Sequence, residues 1–208
     1  EIISGTDPAE IMKATKNPVE ISCTRRAHIK DGIAMVKFLH WIKTNVGKQK
    51  ITEISASDRL EAFRRQQPGC FDLSFDTISG YMDNGAIVHY APSPETDREL
   101  KPEGLLLVDS GGQYKDGTTD ITRTVVLGPL TGQMKEDYTT ILKSNLTLSM
   151  AKFAKGTTGT QLDETARRPV RDRGLDFDHG TGHGVGHILS VHEGPNNISP
   201  RNGSWPIT

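Results

Sequence analysis

The stretch LLLVDSGGQYKDGTTDITRT, Leu105 to Thr124, holds two strand-like runs joined by a glycine- and threonine-rich connection. An apolar run ends at Asp109, and an alternating run begins at Asp120. Antiparallel pairing of the two would set the aspartates side by side on one face, with directly opposed Cβ atoms ~5 Å apart. Two bare carboxylates that close repel, and each resists ionisation. A divalent cation between them removes the penalty, and oxygen ligands with an imidazole suit Mn, Co, Zn or Fe better than a thiolate-seeking metal. The other reading is plainer: an aspartate at a strand end is often a turn former, as Asp116 in KDG is expected to be. On these residues alone both readings stay open.

Upstream, residues 1–16 read as a connector. Asn17, Pro18 and Glu20 then give an N-cap, a first helical residue and a capping-box spacing. Ile29, Ile33, Val36, Leu39, Ile42 and Val46 recur at helical intervals, so a helix is expected to about Val46, stopped by Gly47. A second helix is expected after Thr52, ending before Pro68-Gly69. FDLSF, GAIVHY, GLLLVDSGG and TDITRTVVLG then read as short strands. Downstream, helices are expected from Thr131 to about Lys155 and from Gln161 to Arg173, with Pro169 against the second half of the latter. This order of helices, strands, helices and strands implies an α+β fold with an antiparallel sheet rather than a βαβ repeat.

Composition excludes several classes of function. The 208 residues fit one domain of ordinary size or at most two small ones. A net charge of -1, from 25 basic and 26 acidic residues, directs no large field at nucleic acid or an anionic membrane. No apolar run approaches the ~20 residues that cross a bilayer. The opening EIISGTDPAE has no basic region followed by an apolar core, so it does not read as a signal peptide. It lacks an initiator Met and the closing NGSWPIT is equally abrupt, so a fragment of a longer polypeptide is expected. Cys23 and Cys70 have no CxxC spacing; two free thiols of an intracellular protein are the simpler reading, a single disulfide the alternative.

The run HGTGHGVGHILSVHEGP, His179 to Pro195, holds four of the seven histidines and five of the 21 glycines. His183 and His187 have the spacing of a helical zinc motif. Gly182, Gly184 and Gly186 each weaken a helix by ~1 kcal/mol relative to Ala, so a tight loop with close backbone approach is expected instead. His187 is then expected to point elsewhere. His192, in SVHEGP, and His89, in GAIVHY, each read as a residue ending a strand.

KNPVEI, SFDTISGYMDNGAIVHY, LLLVDSGGQYKDGTTDITRT and HGTGHGVGHILSVHEGP together resemble the catalytic domain of the Xaa-Pro aminopeptidases (aminopeptidase P), within the pita-bread metallopeptidases that include prolidase, methionine aminopeptidase and creatinase. The resemblance covers nearly the whole chain. It implies a curved antiparallel sheet flanked by helices, incomplete at the C-terminus, with residues 1–16 a connector from an absent N-terminal region and 17–208 a partial catalytic domain. It implies two divalent ions, Mn in the first place with Co or Zn as alternatives. Asp109, Asp120 and His183 match metal ligands, and His89, His179 and His192 match substrate-facing histidines. The family's two glutamate ligands lie downstream of the histidine run, so this chain as given is expected to be inactive by itself. Glu193 does not match a ligand position.

The implied reaction is hydrolysis of the bond between an N-terminal residue and a following proline, in peptides with proline second. A cytoplasmic location and a homodimer of the full-length protein go with it; no nucleic-acid or membrane partner does. Prolidase is the rival within the fold, and a ligand-depleted peptide-binding module the rival outside catalysis.

Overall fold

The structure, a computed structural model, describes residues 7–207. They fall into two compact units: residues 17–130 with 186–191, and residues 7–16, 131–185 and 192–207. The first unit is built from helices α2 (Pro18–Asn45) and α3 (Glu53–Arg65) and strands β1 (Cys70–Tyr81), β2 (Leu105–Tyr114), β3 (Gly117–Thr118) and β4 (Ile121–Val126). The second holds α1 (Pro8–Ala14), α4 (Gly132–Ser149), α5 (Gly159–Arg171), β5 (Gly182–Gly184) and β6 (Glu193–Ile198).

In the first unit β2 is central, paired antiparallel with β1 on one side and with β3 and β4 on the other. Asn17 caps α2 through the capping box with Glu20, and Thr52 caps α3 through one with Ser55. The core joins Met35, Phe38 and Ile42 of α2 and Ala56 and Leu60 of α3 to Leu106, Val108 and Val125 of the sheet. Alternation along β2 therefore places Leu106 and Val108 in the core and Asp109, with Leu105 and Leu107, on the other face.

The apolar repeat in α2 marks the helix and only partly its buried face. Ile42 is in the core, whereas Ile29, Ile33 and Val36 are 65%, 45% and 66% exposed. Helical geometry sets Ala27, Asp31, Ala34, Met35 and Phe38 on the buried side instead. Asp31 is fully buried there, where Arg64 Nε and Nη2 donate to its carboxylate at 2.5 and 3.1 Å and the Tyr114 hydroxyl donates at 2.9 Å.

In the second unit α4 and α5 pack together, and the Ser144 hydroxyl donates to the Ala166 carbonyl. Leu162, Ala166 and Val170 of α5 are buried. Thr158 caps α5 in a box with Gln161, so the helix begins at Gly159, two residues ahead of the expected start, and Pro169 sits in its last turn. Helix α4 ends at Ser149 rather than near Lys155. Residues 8–14 of the expected connector form a helix, capped by Asp7, that packs on β6, where Lys13 of the helix and Lys16 just beyond it both pair with the buried Glu193. The cysteines are free, as the simpler reading held. No helix among the described residues is long and apolar enough to cross a membrane.

Candidate metal centre and histidine loops

The Leu105–Thr124 stretch is a hairpin whose turn is tighter than its Gly/Thr-rich connection suggests. Strand β2 runs on to Tyr114, leaving Lys115 and Asp116 as the turn, so Asp116 is the turn former expected of it. The extension sets the register. Thr122 lies across from Asp109 and Ile121 across from Ser110, so Asp120 falls beside Gly111. The two aspartates are therefore diagonal neighbours on one face, about 7–8 Å apart by sheet geometry with their Cβ atoms somewhat closer, and not directly opposed. The displacement is two residues, an even number, which keeps both on the same face.

Both positions are fixed by neighbouring groups. The Thr122 hydroxyl donates to Asp109 Oδ1 at 2.6 Å. Thr119 is pinned to the sheet: its N–H donates to the Gly112 carbonyl at 3.0 Å, its hydroxyl accepts from Gly112 N–H at 2.9 Å, and its carbonyl accepts from Ser74 Oγ at 2.8 Å. Gly111 makes room for this approach, since a Cβ there would meet the Thr119 carbonyl oxygen at 2.0 Å and Ser74 Oγ at 2.2 Å. Asp120 is the next residue and inherits the constraint.

Burial raises Asp109 above its ordinary value; the Thr122 hydroxyl opposes that, the Asp120 carboxylate adds to it, and His89 weakly opposes it. The three groups thus share one electrostatic neighbourhood in the first unit. Two half-buried carboxylates on one face, one of them oriented by a hydroxyl, are a fitting donor set for a hard divalent cation.

GAIVHY is not a strand. Residues Met82–Ala86 form a 3-10 turn, and His89 has φ +57°, outside any extended conformation. Its backbone is closed by two local turns, Ile87 N–H to the Asn84 carbonyl and Tyr90 N–H to the Ile87 carbonyl, with no strand partner. His187, also in this unit, places its Nδ1 3.3 Å from Thr24 Oγ1, while its carbonyl accepts from Thr118 N–H at 2.8 Å. It packs on α2.

In the second unit the histidine run is non-helical, with a short strand within it that the sequence did not suggest. His183 is the middle of β5 and pairs with Asn197 of β6. Gly184 lets the strands close, because a Cβ there would lie 2.3 Å from the Glu193 carbonyl oxygen. His192 precedes β6 instead of ending a strand. The rings of His183 and His192 meet edge to face at 4.1 Å between centroids. His183 Nδ1 lies 2.8 Å from the Gly184 carbonyl oxygen, and His179 Nδ1 lies 2.7 Å from that of Gly180. A carbonyl can only accept, so each Nδ1 donates, and in the neutral ring the lone pair is on Nε2, the arrangement a ligating histidine needs.

Two supporting groups escaped the sequence reading. Glu53, at the first turn of α3, looks like a charge complementing the helix dipole. It is fully buried and accepts from Tyr81 N–H, Asn84 Nδ2, the Tyr90 hydroxyl and Arg98 N–H. Arg167 looks like one more surface arginine of α5. It is 2% exposed, pairs with Asp163 at 2.7 Å, and donates to the carbonyls of Phe177 and His179. The i,i+4 spacing of Asp163 and Arg167 was the available signal. Within neither unit do the described residues gather three or more His, Cys, Asp or Glu side chains as a metal cluster.

Helices on one face of an antiparallel sheet, with the two aspartates on the other, define a pita-bread α+β protein. The chain belongs to metallopeptidase family M24, whose model matches residues 22–206. It is 41% identical to aminopeptidase P1 of Arabidopsis thaliana over 97% of this chain and 34% of the relative. The X-prolyl aminopeptidase of Caenorhabditis elegans, described as a cytosolic enzyme with a dinuclear active site, superposes with a TM-score of 0.93 at 40% identity, over 98% of this chain and 33% of that one. The prolidase of Thermococcus sibiricus gives 0.79 at 29% identity, over 94% of this chain and 51% of its own. The chain spans about a third of the length of the curated relatives it matches.

Proposed function

We propose that this chain carries part of the catalytic machinery of a metal-dependent Xaa-Pro aminopeptidase, which releases the first residue of peptides with proline second. The observation that carries the reading is the pair Asp109 and Asp120, constrained on one sheet face in a member of a metallopeptidase family. Aspartates 109 and 120 offer carboxylate oxygens for two divalent ions, Mn first and Co or Zn as alternatives. His183 offers Nε2, as its motif and tautomer imply. When bound, such ions supply Lewis acidity and lower the pKa of a water to near neutrality.

The chain's own residues do the rest. Thr122 holds Asp109 in one orientation. His89 and His179 line the peptide around its proline. His192, held against the His183 ring, donates to the scissile carbonyl oxygen as negative charge develops; loss of such a donor typically costs ~2.7–4 kcal/mol of barrier. A cytosolic location and a homodimer belong to the same proposal, the first supported by the description of the C. elegans enzyme. The likeness to a prolidase structure favours Xaa-Pro dipeptides as the second reading.

The test uses the full-length protein. Asp109→Asn and His183→Ala should each lower bound metal, measured by elemental analysis, and abolish release of the first residue from an Xaa-Pro tripeptide. Full activity in either variant contradicts the ligand assignment. Cleavage of dipeptides alone supports the prolidase reading, and a metal-free, inert parent protein supports a peptide-binding module.

A further inference from the structure

We propose that Glu53 is the positioning residue that holds His89 in its left-handed backbone conformation, an inference that rests on the substrate-facing role given to His89 above. The segment from Tyr81 to Tyr90 contains two non-glycine residues with positive φ, Met82 at +55° and His89 at +57°. L-residues adopt this region rarely, and such geometry persists only where its surroundings over-determine it. The Glu53 carboxylate supplies that constraint. It accepts from Tyr81 N–H at 2.7 Å, directly before Met82, and from the Tyr90 hydroxyl at 2.9 Å, directly after His89.

Between these anchors Asn84 Nδ2 donates to both carboxylate oxygens, at 3.0 and 3.2 Å, and Arg98 N–H closes the far end of the loop at 3.2 Å. Two turns complete the frame, Ile87 N–H to the Asn84 carbonyl and Tyr90 N–H to the Ile87 carbonyl, each at 3.1 Å. The carboxylate itself is rigidly placed, because Glu53 opens a capped helix and its N–H donates to the Arg98 carbonyl at 3.0 Å. One buried side chain thus ties the Tyr81 and Arg98 amides and the Asn84 and Tyr90 side chains together, which leaves His89 on the exposed outer turn of the loop.

The test combines a double-mutant cycle with amide exchange in the full-length protein, using Glu53→Gln, His89→Ala, both together, and Tyr90→Phe as a milder variant should Glu53→Gln fold poorly. Glu53→Gln should lower kcat/KM on an Xaa-Pro tripeptide by roughly tenfold to a hundredfold, the scale of a misplaced site group. In the His89→Ala background the same change should alter it less than about twofold. Tyr90→Phe should follow the same pattern with a smaller drop. Exchange at the Tyr81 and Arg98 amides should quicken in Glu53→Gln. An equal drop in both backgrounds overturns the proposal, since Glu53 then acts on stability alone. Unchanged exchange at Tyr81 and Arg98 overturns the clamp. His89→Ala with parental activity overturns the role of His89 and leaves the clamp to be judged by exchange.

Discussion

The loops that carry His89 and His179 are held by side chains of opposite character. In the first unit a buried carboxylate, Glu53, accepts from the N–H groups and side-chain donors of residues 81–98. In the second a buried guanidinium, Arg167, donates to the carbonyls of Phe177 and His179 and to Asp176 Oδ1. The difference follows from which backbone groups each loop leaves unpaired. Near Tyr81 and Arg98 these are donors; near His179 they are acceptors. A buried backbone group must be satisfied, and a loop without a strand partner takes its partner from the helix beneath it. Arg167 also carries its own counter-ion, Asp163, one turn earlier on α5, whereas the groups that surround Glu53 within hydrogen-bonding distance are neutral donors.

The strongest way to break this comparison is Arg167→Ala. It strands Asp163, which is fully buried, and removes two carbonyl partners. Breaking a buried pair in this way should destabilise by about 3–5 kcal/mol, read from denaturant melts. A loss near that of a surface arginine would show that the second loop does not depend on its guanidinium. Phe177→Leu comes next. It removes the ring that lies 4.0 Å from the Arg167 guanidinium carbon and stacks on His179, and should cost roughly 0.5–2 kcal/mol.

The smallest effect sharpens the comparison through pH. The hydrogen bond from Arg171, the Phe177 N–H and Arg167 hold the Asp176 carboxyl down to about 2, below its ordinary 3.8. A depressed carboxylate stabilises the fold above its unfolded value and loses that contribution as pH falls through its folded one. Parent and Asp176→Asn should therefore differ in melting temperature at pH 5–7 and converge between about pH 4 and 2. A difference that persists at pH 2 would show that Asp176 acts through shape and not charge.

Helices α2 to α5 and the strands of the first unit's sheet were legible because their signals are local. Asn17 with Glu20, and Thr52 ahead of α3, cap helices where the sequence placed them. Asp109 and Asp120 were legible as candidates because period-two alternation fixes the face of a strand whatever its neighbours. Their relative register was not, because it depends on where the hairpin turns, and the strand continued through Gly111 and Gly112 to a two-residue turn. GAIVHY was misread as a strand for a related reason. Its short apolar run fits a strand, but the segment closes into local turns anchored by Glu53, distant in sequence, through Tyr81, Asn84 and Tyr90. SVHEGP was misplaced by a few residues, since the strand begins at Glu193 with the backbone of the β5–β6 pair and not with its side-chain pattern.

The sequence by itself determined the class of fold, the family phrases and the candidate ligands proposed above, because residue type, capping and periodicity are properties of short segments. Tertiary structure alone decided that the aspartates are diagonal, that the His183 and His192 rings meet edge to face, and that Glu53 and Arg167 are buried hubs and not surface charges. Those outcomes depend on which distant groups share a dry space, where each buried donor or acceptor must find a partner and cannot turn to water.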